Sequence, residues 1–109
     1  MTSRAAFLAQ YRSVRDREGY RVGATAYYRA LPRTAANDPQ HAVWKIRQRS
    51  FERFRAMVRA RFRDGHARIL DLGAGNGWLS YRLALDGHRV IAADIYDDDR
   101  DGLRAAQHY

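Results

Sequence analysis

The sequence predicts an α/β fold: one βαβ unit that starts a doubly wound parallel sheet, preceded by a helical N-terminal segment. Three observations point there. Two short apolar runs, residues 67–72 and 89–93, have the length and composition of strands. Between them lie a glycine-rich turn, residues 73–77, and a stretch with the Leu79 and Leu83 spacing of a helix, stopped by Gly87. Ahead of Gly65 the apolar residues recur at helical period instead. Strand, turn, helix and strand within about thirty residues imply a right-handed crossover joining parallel strands.

Each element has a local reason. Ser3 stands where it can cap a first helix of about a dozen residues carrying Phe7, Leu8, Tyr11 and Val14. Gly19 and Gly23 punctuate the stretch around Tyr20 and Val22, and a short helical piece over residues 25–31 carries Tyr27 and Tyr28 before Pro32 ends it. Residues 33–38 read as a loop. Asn37-Asp38-Pro39 then signals a helix start, a carboxylate cap followed by proline where a missing N–H is harmless. The helix is expected to run to about Arg63, with Asp64-Gly65 as its stop.

At about 100° per residue, Trp44, Phe51, Phe54, Val58 and Phe62 fall on one side of that helix. Lys45, Arg49, Arg53, Arg55, Arg59 and Arg63 fall on the other. Arg47 and Arg61 lie inside the apolar sector, where their stems can run along the core while the guanidinium heads reach water. After the second strand, an acidic loop over residues 97–102 is expected to be solvated and to lead into another helix capped by Asp101.

With 109 residues the chain has room for one small domain. A 46% hydrophobic content lets it bury a core and excludes a disordered tail. The absence of cysteine excludes a disulfide framework and thiolate metal sites. No apolar run is long enough to span a membrane, and none follows the N-terminal charges as a secretory signal would, so a cytoplasmic protein is expected. The net charge of +8 is unevenly spread: residues 1–64 carry 15 basic against 5 acidic side chains, residues 65–109 carry 5 against 7. This divides the chain into a basic helical cap or lid segment, residues 1–64, and the βαβ unit, residues 65–109. Lys45 is the one lysine among 20 basic residues, a bias of the kind GC-rich coding produces.

The chemistry concentrates between Ile69 and Ile95. Gly73 lets the chain leave the first strand in a tight turn, Gly75 removes a side chain where a ligand would lie against backbone, and Gly77 opens the helix with its unpaired N–H groups. In open sheets, ligands bind beyond the carboxyl ends of the strands, which is where this turn falls. Asp71 puts a carboxylate into an otherwise apolar strand, which costs several kcal/mol, on the order of a stranded charge, unless something compensates. Either a cationic ligand group or nearby backbone N–H groups can do so. Asp94 closes the second strand about twenty residues on, where a carboxylate can accept two ribose hydroxyls or simply face solvent.

The run Ile69-Leu70-Asp71-Leu72-Gly73-Ala74-Gly75-Asn76-Gly77 resembles motif I of class I S-adenosylmethionine-dependent methyltransferases. The resemblance implies a Rossmann-like sheet, S-adenosylmethionine as cofactor, and methyl transfer to an acceptor whose class the sequence does not disclose. It places Asp71 near the amino-acid end of the cofactor, residues Gly73, Ala74, Gly75, Asn76 and Gly77 in the backbone cradle, Asp94 on the ribose, and Ile95 against the adenine. It also implies that the N-terminal helices can form a lid, with Tyr20, Tyr27, Tyr28, Trp44 and Arg47 as candidate contacts and the arginine facing the cofactor carboxylate; ordinary core aromatics are the alternative for these rings. No catalytic base is assigned.

The same residues admit other readings. A dinucleotide fingerprint, G-x-G-x-x-G, needs its last glycine at Trp78, and an acidic Asp71 does not suit its apolar strand. A calcium loop from Asp97 needs a bidentate glutamate at its twelfth position, which is His108, so no metal is expected. The arginine-rich helix face suits phosphates, as in a non-catalytic module docking on a partner or on nucleic acid, and equally suits an ordinary surface helix. The motif covers roughly a quarter of the chain. Two strands are fewer than the family's sheet contains, so the expectation is an N-terminal piece of a methyltransferase, missing its C-terminal portion, which by itself would dimerise, borrow a partner chain or be inactive as an enzyme.

Overall fold

The computed structural model describes residues 3–109. It is a mixed α/β arrangement with the order α1 (Arg4–Arg17), α2 (Thr25–Ala30), α3 (His41–Arg61), β1 (Arg68–Leu72), α4 (Trp78–Leu85), β2 (Arg89–Ala93) and a closing 3-10 helix, Leu103–His108. The Ser3 Oγ accepts the Ala6 N–H at 3.1 Å and so caps α1. No residue of α1 is buried.

The start of α3 differs from the sequence expectation. The Asp38 carboxylate accepts the Gln40 N–H at 2.8 Å, and its carbonyl accepts the His41 N–H at 3.1 Å. These bonds close a turn over residues 38–41, so the helix begins at His41 and Pro39 lies outside it. Its apolar face is as expected for Trp44, Phe51 and Val58, which are buried, whereas Phe62 beyond its last turn is 40% exposed.

β1 and β2 pair in parallel, with Arg68 opposite Arg89, Asp71 opposite Ala92 and Leu72 opposite Ala93. α4 supplies the crossover and packs on β2, with Leu83 fully buried. One sheet face, carrying Ile69, Asp71, Val90 and Ala92, is half-buried. The other leaves Leu70, Leu72 and Ile91 well over half exposed. The strand around Asp71 is therefore half-buried on one side and exposed on the other, with no fully buried residue.

The core joins both halves of the chain: Tyr20, Tyr28, Leu31 and Trp44 from the helical segment cluster with Ala105, and Tyr27, Trp78 and Tyr109 pack against them. Trp44 and Trp78 meet edge to face at 5.6 Å, and Tyr28 stacks on His108 at 4.5 Å.

The acidic loop is the second correction. Asp98 and Asp101 are buried, not solvated. Asp101 does not cap the closing helix, whose N-cap is Gly102 without a side-chain bond. Instead Arg15 binds Asp101 through two bonds of 2.7 and 3.0 Å, and Asp98 takes Arg12 at 3.1 Å and Arg21 at 2.9 Å. Asp98 also accepts the N–H groups of Arg100 and Asp101. The basic front of the chain thus neutralises its acidic back.

Candidate functional site

A crevice of about 530 Å³ opens beyond the carboxyl ends of β1 and β2. Its floor is the glycine turn. The N–H groups of Gly73 and Ala74 both bond to the Ala93 carbonyl, at 2.8 and 3.0 Å, tying the turn to the end of β2. Gly73 and Gly75 have φ of +76° and +57°, in the left-handed region that side chains resist. A Cβ on Gly73 would meet nothing within 4 Å, and one on Gly75 only the Asp101 carbonyl at 3.9 Å. The backbone here is open to whatever fills the crevice.

Seven of the eight residues singled out from sequence line this space: Asp71, Gly73, Ala74, Gly75, Asn76, Asp94 and Ile95. Gly77 does not. It sits behind the turn at φ +84°, where a Cβ would lie 3.8 Å from the ring of Tyr109. The first helical N–H is not free either, because the Asn76 side-chain oxygen accepts the Trp78 N–H at 3.0 Å. The same oxygen takes the Tyr109 hydroxyl at 3.3 Å.

The two carboxylates differ in their engagements. Asp71 is half-buried and accepts the Ser80 hydroxyl at 2.8 Å, with no cation beside it among the described residues. Asp94 accepts the Gly75 N–H at 2.8 Å with one oxygen and the Tyr96 N–H at 2.9 Å with the other. It therefore holds the turn in shape, and each oxygen keeps a lone pair for a further donor. That structural duty was invisible in sequence, since it depends on the pairing of β1 with β2.

Of the five lid candidates, Trp44 and Arg47 line the crevice. Tyr20, Tyr27 and Tyr28 belong to the core cluster instead. Tyr20 donates to the Gln40 side chain at 3.1 Å, and Tyr28 donates to the Arg100 carbonyl. Arg47 is half-buried with its guanidinium 4.5 Å from the Trp44 ring and 5.7 Å from Tyr20, and it has no carboxylate partner among the described residues.

The walls contain groups that the sequence did not single out for the site: Phe7, Leu8, Tyr11 and Arg15 from α1, Trp78 and Leu79 from α4, and Tyr96 and Asp101 from the acidic loop. The helical spacing of Phe7, Leu8 and Tyr11 was legible, but not which surface they would meet, and Arg15 was not among the residues it marked. Tyr96 is buried with its hydroxyl unpartnered among the described residues. Burial, followed by the charges of Asp98 and Asp101, pushes its pKa up to about 12, so the phenol stays a donor at neutral pH. Burial opposes ionisation of Asp98 too, but the hydrogen bond from Arg21 and the backbone N–H bonds outweigh it and hold the carboxyl below its ordinary range.

No family model, curated protein or solved structure matches this chain. Among the described residues no three or more His, Asp or Glu side chains are disposed to hold a metal ion, and no helix is long and apolar enough to cross a membrane.

Proposed function

We propose that the chain is the S-adenosylmethionine-binding front end of a class I, Rossmann-like methyltransferase. One observation carries the reading: Asp71, a half-buried carboxylate with no cationic partner among the described residues, shares a crevice at the strand ends with an open glycine turn and the carboxylate of Asp94. Asp71 would receive the cofactor's ammonium, Asp94 the ribose hydroxyls, and Ile95 one face of the adenine. Arg47, a cation on the same crevice with no counter-ion among the described residues, suits the carboxylate of the amino-acid end. The cofactor, when bound, supplies a methyl group already activated by its sulfonium. The residues here bind and orient it, and an aligned in-line attack needs no covalent enzyme intermediate.

Calorimetry with S-adenosylmethionine tests this. Binding is expected for the native chain and should weaken at least tenfold in Asp71→Asn, because a charge-assisted bond becomes a neutral one. Asp94→Asn should lose more, since it also loosens the turn. Absence of any cofactor heat would overturn the reading.

A second reading has its own observation. Lys45, Arg49 and Arg53 stand exposed along α3 with no ion-pair partner among the described residues, spaced one helical turn apart. A non-catalytic module would use this row on an anionic partner such as nucleic acid, with binding that falls steeply with salt and ignores the cofactor.

A further inference from the structure

We propose that Phe7 and Tyr11 of α1 form the second wall of the subsite that takes the planar base of the bound nucleoside, facing Ile95 across the crevice. The inference rests on the reading of the crevice as an S-adenosylmethionine site and adds the residues that grip the base from the other side.

Phe7 and Tyr11 stand one helical turn apart, their rings stacked at 6.2 Å and 11° between planes. Both line the same crevice as Ile95. They are large apolar groups left 53% and 39% exposed on a helix that buries no side chain, and Ile95 is 63% exposed. Apolar surfaces from opposite ends of the chain thus border one open volume. A flat, weakly polar group is the filling that would take both out of water.

The position of α1 does not depend on those rings burying themselves. Arg15 is fixed by its paired bonds to buried Asp101 and by stacking 3.4 Å from the centre of the Tyr20 ring. Arg12 reaches Asp98, and the guanidinium of Arg4 donates to the Ile95 carbonyl at 3.5 Å. Tyr11 meets Tyr96 edge on at 5.0 Å. The helix is held over the crevice by charge, and its aromatic pair remains available to a ligand. Arg15 is on this account a positioning residue.

Calorimetry on the full chain tests the proposal, using S-adenosylmethionine and methylthioadenosine, which keeps the base and ribose but lacks the amino-acid end. The double substitution Phe7→Ala with Tyr11→Ala should weaken both ligands alike, by about tenfold or more, as loss of a stacking platform does. Tyr11→Phe should retain native affinity. Arg15→Gln should weaken both ligands while leaving the ratio of their affinities unchanged. Circular dichroism should report native helix content in the double variant, because neither ring is part of the core. If the native chain binds S-adenosylmethionine and the double variant binds it equally well, this proposal falls and the cofactor reading stands. If the native chain binds neither nucleoside, both fall.

Discussion

Gly102 shows how much of the site rests on single atoms. A Cβ there would lie 2.3 Å from the Asp98 nitrogen and 2.5 Å from the Tyr96 carbonyl oxygen, both backbone atoms that cannot yield without moving the loop. Gly102→Ala should therefore cost about 3 kcal/mol, the upper range for overpacking, and lower the thermal midpoint measured by calorimetry. An alanine variant as stable as the native chain would show that this loop is looser than described. In sequence Gly102 is no more than the last residue of the acidic loop, because the constraint comes from a close approach of Asp98 and Tyr96. The turn residues were more legible. Asp71 and the glycines announce themselves by type, since a carboxylate in an apolar strand and three alternating glycines need a reason. Asp94 was legible as a strand-end carboxylate, but its bonds to the Gly75 and Tyr96 backbone appear only once the two strands are side by side.

At the level of elements, local pattern found the pieces and missed their partners. The strand–turn–helix–strand order is as the apolar runs and glycines foretold, within a residue at most boundaries. The start of α3 was misplaced because Asp38 spends its cap on a turn of its own. In the acidic loop Asp98 and Asp101 lie buried against arginines more than seventy residues away in sequence, a pairing no local window contains. α1 is the element most dependent on that pairing, having no buried side chain to anchor it. Hydrogen exchange should find its amides the least protected of any helix, and Arg15→Met should strip them further while leaving α4 amides unchanged. Equal protection of α1 in the variant would show that packing, not the ion pairs, holds it. Removing Arg15 leaves Asp101 without the partner that ties α1 to the loop, so the loss, about 3 kcal/mol on the pattern of broken buried pairs, falls on the docking of α1.

Across the whole molecule the two charge-rich halves lock together, and acid should unlock them. Asp86 is held below the ordinary carboxylate range by its hydrogen bond and charge pairing with Arg55, and Asp98 is lowered as well. A group with a lowered folded pKa contributes stability above its unfolded value, about 4. That contribution is lost as pH falls through the folded value. The thermal midpoint should thus be flat from neutral pH down to about 5 and drop steadily below about 4. A midpoint that rises on acidification would contradict the ion-pair description. The molecule also exposes 7433 Å², against about 6,200 Å² for a compact monomer of its mass. The open sheet face with Leu70, Leu72 and Ile91 is part of that excess, and Arg68 beside Arg89 at its end sets two like charges side by side.

The two tryptophans of the chain, Trp44 and Trp78, stand against each other at the wall of the crevice and nowhere else. Nature has in effect installed an optical gauge there. Whatever enters that space changes the surroundings of both indoles, so the emission of the unlabelled protein, excited at the red edge where its seven tyrosines do not absorb, reads occupancy directly.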